Sequence, residues 1–259
     1  MVFYHNINPV ILGFGHLQIR YYGLIYVIAI IISYLMLKYF SRKKLLRIKE
    51  KYLADLLLYL VIGALVFARI FYILFYNFNF YLLNPLNILF FWEGGLSFHG
   101  GLIGALLGSY LFWRKRRFDF WNFADYAVIP LAIGLGLGRI GNFINGELYG
   151  RITSLFLGVK FPGAEGFRHP SQLYESFKNF IIFFILFFVK DNKLPKGFLF
   201  WLFVTLYGTF RFFIEFFRAP DSQLGFIFWQ FTLGQLFCLV MIIIGVLMIA
   251  GLIRKNSFS

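Results

Sequence analysis

Long apolar runs separated by short charged segments are the feature that most restricts what this chain can fold into. An α-helix needs about 20 mostly apolar residues to cross the hydrocarbon core of a bilayer, and it hydrogen-bonds its own backbone while doing so. Candidate runs lie at roughly 21–40, 53–76, 97–113, 123–143, 174–190, 197–217 and 230–253. They predict an all-α integral membrane protein, a bundle of about seven transmembrane helices forming a single polytopic domain over residues 1–259.

The composition excludes most soluble classes. Only 14% of the residues are charged and 60% are hydrophobic, whereas a soluble domain carries about 25% charged residues. The net charge of +14 would suggest nucleic acid as a partner of a soluble protein. Here the basic residues cluster between apolar runs, where they meet anionic lipid heads. We therefore expect a lipid bilayer as partner and no nucleic acid.

The basic clusters also predict an orientation. Every second loop is rich in Lys and Arg, at 42–51, 114–117, 190–196 and 254–255, whereas 77–95 has no Lys or Arg and 144–172 has three. Basic loops stay in the cytoplasm. This pattern places the C-terminus in the cytoplasm and the N-terminus outside, and it makes residues 144–173 a small outward-facing loop or arm.

Several ionisable side chains lie within or at the ends of apolar runs, where each costs about 2.5–3.5 kcal/mol at mid-helix. In the predicted topology all of them fall in the outward-facing half. They are Arg69, His99, Arg139, Glu147, Arg211 and Glu215. Their clustering at one level predicts a functional site there.

Two segments carry most of this polarity. Tyr207, Arg211 and Glu215 are spaced four apart, so they share one helix face; the alternative is an Arg–Glu pair that only neutralises itself. The segment GLGLGRIGNFINGELYG holds Arg139, Asn142, Asn145 and Glu147 among glycines. Exposed backbone N–H groups, Arg and Asn suit phosphate oxygens, although a glycine-rich packing face with a polar end is the alternative.

The remaining polar candidates keep two interpretations each. His99 is either catalytic or structural, and Tyr22 is either a site residue or an interfacial anchor. In RHPSQLYES, Ser171 is a candidate N-cap of the fifth span, with Glu175 in its first turn. The four histidines are far apart in the sequence and no paired-cysteine spacing occurs, so we expect neither a metal nor a cofactor.

The motifs together resemble a known family. GRIGNFINGELYGR (138–151) is similar to the signature GRxGNFxNxExxG of the prolipoprotein diacylglyceryl transferases. Further matching segments follow the family's order along nearly the whole chain: RYYGL near the start, ARIFYILFYN (68–77), WEGGLSFHGGLIGA (92–105), RHPSQLYES (168–176) and RFFIEFFRAPDSQLG (211–225). On these segments the chain is identified as a member of that family.

The resemblance implies an activity and its partners. Members transfer the diacylglyceryl group of phosphatidylglycerol to the lipobox cysteine in a prolipoprotein signal peptide, forming a thioether and releasing glycerol 1-phosphate. The reaction takes place at the outer side of the bacterial cytoplasmic membrane. The stretch between Asn145 and His169 is short compared with many members, which leaves fewer side chains to hold the signal peptide.

The resemblance also implies roles for individual residues. It makes Arg139 the primary phosphatidylglycerol ligand, in a substrate-binding set with Gly138, Asn142, Asn145, Glu147, Gly150, Tyr207 and Arg69. The implied catalytic set is His99, Arg211, Glu215 and Tyr22, in which Glu215 and Tyr207 orient Arg211 and Tyr22 lines the pocket. His99 is either the base that takes the thiol proton or a contact of the lipid head.

Two other classes of protein would also bury charged groups in a membrane. A transporter or lipid-translocating protein uses intramembrane Arg and Glu along its pathway, but such proteins often have paired halves and this chain shows no internal repeat. A structural or receptor-like seven-span protein would not need two buried arginines, a histidine and two glutamates at one depth.

Overall fold

The structure, a computed structural model, is predominantly helical and describes residues 3–14, 17–90, 94–219 and 231–257. The α-helices of these residues are α1 Tyr21–Arg42, α2 Leu53–Tyr76, α3 Phe78–Leu83, α4 Phe98–Arg116, α5 Phe120–Ile144, α6 Ser171–Val189, α7 Phe198–Ile214 and α8 Leu233–Ser257. Their strands are β1 Phe3–Tyr4, β2 Val10–Phe14, β3 Leu17–Arg20 and β4 Val159–Lys160. Trp92 and Glu93, residues 220–225 of the last motif, and His16 lie outside the described residues.

Five helical segments within the described residues are long and apolar enough to cross a membrane: Tyr21–Arg42, Glu50–Tyr76, Phe120–Ile144, Ser171–Val189 and Leu233–Asn256. The helix Phe198–Ile214 is apolar but shorter. Large apolar side chains of α8, such as Ile243 and Leu247, stay exposed, a surface that suits lipid rather than water. The predicted class, an all-α integral membrane protein, is confirmed. The sides that the two termini face stay a prediction.

The chain divides into two compact units. The first unit comprises residues 1–14, 19–36 and 124–259, and it includes α6, α7 and α8. The second unit comprises residues 15–18 and 37–123, and it includes α2, α3 and α4.

In the second unit, α2 and α4 approach each other through glycines. A Cβ atom on Gly104 would overlap the carbonyl of Gly63, and one on Gly108 would overlap the carbonyl of Tyr59. Small residues at such a contact let two helices pack backbone to backbone, which gives them van der Waals contact in lipid. The glycine-rich sequence of α4 is therefore explained by its contact with α2.

In the first unit, polar contacts fix α6 and α7 to α5. Ser176 Oγ of α6 donates to the Gly136 carbonyl of α5 at 2.9 Å. Asp125 of α5 accepts hydrogen bonds from the backbone N–H groups of Gly197 at 2.6 Å and Phe200 at 2.9 Å. An acidic side chain at this position caps the N-terminus of α7. These contacts fix where the far end of α7, with Arg211, lies relative to α5.

The segment between α5 and α6 is held by backbone pairing. β1 pairs in parallel with β4, Phe3 opposite Val159 and Tyr4 opposite Lys160. His5 continues the pairing with an N–H bond to the Lys160 carbonyl at 2.9 Å, and its Nε2 lies 2.6 Å from the Phe143 carbonyl. A small apolar cluster of Val159, Phe161 and Ala164 packs beneath. The arm is thereby attached to the end of α5.

Candidate active site

The end of α5 turns back on itself through short polar contacts. Asn142 Nδ2 donates to Glu147 Oε1 at 2.8 Å, and Asn145 Nδ2 donates to the same oxygen at 3.2 Å. Gly146 has a φ of +69°, a left-handed conformation that glycine adopts at little cost. Arg139 Nη1 donates to Asn142 Oδ1 at 3.4 Å. The structure thus brings these four predicted residues together as one hydrogen-bonded chain.

The start of α6 is attached to the same turn. Gln172 Nε2 donates to the Glu147 carbonyl at 2.7 Å, and Ser171 Oγ donates to the Leu148 carbonyl at 3.0 Å. The prediction that Ser171 caps α6 is wrong, because Pro170 occupies the N-cap position and the Ser171 hydroxyl is used by the turn. These two bonds place the first turns of α6, and with them Glu175, beside the end of α5.

Glu175 is fully buried and lies among three cationic side chains. Its Oε1 is ion-paired with Arg211 Nη1 of α7. Its Oε2 lies 3.0 Å from Lys178 Nζ of α6 and 3.9 Å from Arg139 Nε of α5. A buried carboxylate is stable only when it is paired, because desolvation of an isolated charge is costly. One carboxylate therefore joins the polar faces of three helices.

A second carboxylate extends this cluster towards the end of α7. Glu215 Oε2 lies 2.8 Å from Arg211 Nη2 and 3.5 Å from Arg218 Nε. Thr232 Oγ1 donates to its other oxygen at 3.0 Å. The predicted Arg211–Glu215 pair thus exists, but it is not self-contained, because Arg211 also binds Glu175. The ring of Tyr207, one turn earlier on α7, has its centre 3.7 Å from Lys178 Nζ.

The two predicted glycines differ in their surroundings. Gly150 is tightly packed: its N–H donates to the His169 carbonyl at 2.8 Å, and a Cβ atom would overlap the Phe217 carbonyl. Apart from its own helix backbone, no atom of the described residues lies within 4 Å of where a Cβ on Gly138 would be. Gly150 therefore has a structural reason to lack a side chain, whereas Gly138 borders open space.

Tyr22 of α1 lies beside the same helix end. Its hydroxyl is 2.9 Å from that of Tyr26, and its ring occupies the space that a side chain on Gly141 would need. The structure thus brings Tyr22 within one turn of Arg139 along α5.

Arg69, in the second unit, is buried in a cage of backbone carbonyls. Its guanidinium donates to the backbone carbonyl oxygens of five residues: Asn87 and Gly94 at 2.5 Å, Ile88 at 3.1 Å, and Phe90 and Gly95 at 3.2 Å. These carbonyl oxygens accept hydrogen bonds from most of its five N–H donors. Arg69 holds the segment that leads into α4, and its predicted part in headgroup binding stays a prediction.

His99 is the second residue of α4, also in the second unit. Its side chain is exposed. Ser97 caps the helix just before it, with its hydroxyl accepting from the Gly100 N–H at 3.4 Å. His99 therefore occupies the first turn of a helix, where the backbone N–H groups point outward.

His169 lies outside the membrane-crossing helices, at the entry to α6. Its ring packs against those of Tyr174 and Phe217, and its Nδ1 lies 3.2 Å from the Tyr174 hydroxyl. Burial lowers the pKa of the His169 imidazole below its ordinary value. The surroundings of this histidine therefore favour its neutral form.

Three members of the charged cluster were missed by the sequence analysis: Glu175, Lys178 and Arg218. Lys178 offered the clearest signal, since a lysine inside the fifth apolar run needs a partner as much as Arg211 does. Glu175 is three positions earlier, on the same helix face, and was interpreted as a first-turn residue. Their spacing of three residues is a signal for an ion pair that was not used, and only the fold shows that the pair meets Arg139 and Arg211.

The cluster as a whole carries an excess of positive charge. Among the described residues, Arg139, Lys178, Arg211 and Arg218 share the carboxylates of Glu175 and Glu215. Arginine side chains stay protonated in proteins, and their planar forks match the oxygens of phosphate. No group of three or more metal-binding side chains occurs within residues 3–14, 17–90, 94–219 and 231–257. The arrangement suits an anion with several oxygens.

Comparison with known proteins points in one direction. The family model described as prolipoprotein diacylglyceryl transferase matches residues 9–251. The phosphatidylglycerol–prolipoprotein diacylglyceryl transferase of Geobacter sulfurreducens is 43% identical over 253 residues, which cover 97% of each chain. Proteins of the same name from Francisella tularensis subsp. tularensis strain FSC 198 and subsp. novicida strain U112 are 42% and 43% identical over 264 residues, covering 99% of this chain and 98% of theirs.

Proposed function

Because the chain belongs to the prolipoprotein diacylglyceryl transferase family, we propose that it transfers the diacylglyceryl group of phosphatidylglycerol to the lipobox cysteine of prolipoproteins. The thioether-linked prolipoprotein and glycerol 1-phosphate are the products. The names of the relatives support both substrates. The charge pattern of the loops supports a site at the outer side of the bacterial cytoplasmic membrane.

The observation that carries this proposal is the position of Arg139 and Arg211. Both are ion-paired with a fully buried carboxylate, and their own side chains keep some exposure, 24% and 16%. A phosphodiester that reaches the exposed part of these two side chains meets guanidinium groups that are already held in place. Preorganised donors in a water-poor site bind and stabilise charge more strongly than they would in water.

The chemistry requires a thiolate and a leaving phosphate. A cysteine thiol has a pKa of about 8.5, so only a small fraction ionises at neutral pH without help. In the proposed step the thiolate sulfur attacks the glyceryl carbon that bears the phosphate, and the C–O bond to that phosphate breaks. The electron pair of the bond stays on oxygen, so the phosphodiester becomes a more negatively charged monoester. Arg139 and Arg211 lower the barrier by binding this growing charge.

The thiol proton needs an acceptor, and His99 is the candidate that the sequence supplies, because histidine exchanges protons near neutral pH. Its side chain on α4 is exposed. His99→Gln should abolish turnover while phosphatidylglycerol still binds. Near-normal turnover in this variant would remove His99 from the role of base and leave it as a contact of the lipid head.

The activity is tested on purified protein in detergent, with phosphatidylglycerol and a lipobox peptide. Peptide mass and released glycerol phosphate are followed together, and a peptide with Ser in place of Cys is the substrate control. We expect a diacylglyceryl mass gain that needs both the thiol and Arg139, and that is lost in Arg139→Ala. An unmodified peptide in the presence of intact lipid would refute the proposal, and lipid translocation in vesicles would then be measured.

A further inference from the structure

Lys178 is a buried charge for which the proposed chemistry has no use so far. Its side chain is only 2% exposed, on a helix that is apolar enough to cross the membrane. The ammonium lies 3.0 Å from Glu175 Oε2 and 3.7 Å from the centre of the Tyr207 ring. A lysine in hydrocarbon is costly, so the position calls for a reason beyond packing.

The pair between Lys178 and Glu175 is close but not saturated. Glu175 Oε1 accepts a hydrogen bond from Arg211. Glu175 Oε2 and Lys178 Nζ are within ion-pair distance of each other, yet neither atom has an aligned hydrogen bond among the described residues. One carboxylate oxygen is thus committed to Arg211, and the other has spare capacity facing Lys178.

An arriving phosphate competes with this carboxylate. Carboxylates and phosphates bind the same fork of guanidinium donors, and Glu175 already occupies Nη1 of Arg211. Once displaced, Glu175 has no route to water, because its side chain is fully buried. A buried carboxylate is strongly destabilising unless a cation holds it. Phosphate binding to Arg211 and Arg139 therefore leaves Glu175 dependent on Lys178, whose ammonium already lies 3.0 Å from its Oε2.

We propose that Lys178 is a positioning residue that takes over the Glu175 carboxylate when the phosphate of the lipid binds Arg211. Lys178 sits three residues from Glu175 on the same helix face, so a small side-chain rotation completes the pair without moving a helix. In this scheme Glu175 occupies the phosphate position on Arg211 until the lipid binds. Lys178 determines how readily this carboxylate is displaced. This inference rests on the proposed function.

The test measures apparent KM for phosphatidylglycerol and kcat separately in Lys178→Met. Without the ammonium, Glu175 stays on Arg211, so we expect KM to rise about ten-fold, the equivalent of about 1.4 kcal/mol, with kcat within about two-fold. Adding Glu175→Gln to this variant should return KM to near the wild-type value, because the neutral amide no longer competes. Lys190→Met is the matched control: Lys190 is a buried lysine at the end of the same helix, paired with Asp191 at 2.7 Å, and its loss should leave KM unchanged.

The single variant Glu175→Gln keeps the proposal falsifiable if Lys178→Met does not fold. It removes the competing charge and should lower KM about three-fold; a rise in KM would overturn the inference. A wild-type KM in Lys178→Met would also overturn it. The same holds if the KM of the double variant is as high as that of Lys178→Met. A wild-type enzyme that modifies no peptide would instead overturn the proposed function, and the role of Lys178 with it.

Discussion

Asn142 and Glu147 hold each other by two hydrogen bonds. The Asn142 amide donates to Glu147 Oε1 at 2.8 Å, and the Glu147 backbone N–H donates to the Asn142 carbonyl at 3.1 Å. The closed ring fixes the amide of Asn142, so that its Oδ1 faces Arg139. Glu147, which has no arginine within ion-pair distance among the residues that the structure describes, thereby orients Arg139 through Asn142.

This relationship predicts different effects for two neighbouring asparagines. Asn142→Ala removes the oxygen that orients Arg139 and should raise the apparent KM for phosphatidylglycerol about ten-fold. Asn145→Ala removes only the longer, exposed bond to Glu147 and should change KM less than about three-fold. Initial rates of peptide modification over a range of lipid concentrations give both values. Equal effects would show that the ring around Asn142 is unimportant.

The Glu175–Arg211 pair predicts that stability and activity separate. Arg211→Ala should abolish transfer and lower the free energy of unfolding by up to about 3–5 kcal/mol, because Glu175 loses its hydrogen-bonded partner. Arg211→Ala combined with Glu175→Gln should recover much of that stability but no activity. Thermal unfolding in detergent and the peptide assay measure the two effects. Recovery of activity in the double variant would contradict a direct role for Arg211.

The α2–α4 contact predicts opposite outcomes for two glycines of α4. Gly104→Ala places a Cβ atom against the Gly63 backbone and should destabilise the protein by about 1–3 kcal/mol. Gly101→Ala is the control, because its nearest neighbour outside the local helix backbone would lie at 3.7 Å, an ordinary contact. Since alanine favours helix over glycine, this variant should be at least as stable as the wild type. Melting temperatures in one detergent decide the comparison.

His169 predicts a dependence of stability on pH. Its pKa is lowered by burial, so the unfolded chain binds the proton more readily than the folded one. The stabilising contribution is therefore full above the ordinary histidine pKa of about 6.5 and is lost as the pH falls through the lower folded value. His169→Gln should show a smaller decrease in melting temperature between about pH 7.5 and pH 5 than the wild type. An unchanged decrease would assign the acid sensitivity to other groups.

The sequence was sufficient for the fold class and the family. Apolar runs of membrane length can be recognised without tertiary information, because every helix surface that faces lipid must be apolar. The GRIGNFINGELYGR segment predicted a polar site from residues that are close in sequence, at most eight positions apart between Arg139 and Glu147. Asn142 and Glu147 indeed meet within this turn.

Contacts between distant segments were beyond sequence reasoning. Glu175 meets Arg211 because α6 packs against α7, and neither residue's neighbours in sequence encode that contact. The resemblance placed Arg69 in the substrate-binding set, but it did not reveal that Arg69 binds backbone carbonyls, which every residue possesses. The pairing of β1 with β4 joins residues about 150 positions apart and involves no distinctive side chain.

The one-turn spacing of Glu175 and Lys178 also bears on how α6 enters the bilayer during synthesis. At that moment α7, with Arg211, has not yet entered the bilayer. A lone charge entering hydrocarbon costs about 2.5–3.5 kcal/mol, but two opposite charges on one helix face enter as a neutral pair. The nascent α6 thus enters the bilayer with its own counterion. Arg211 later joins a carboxylate, that of Glu175, which is already in place.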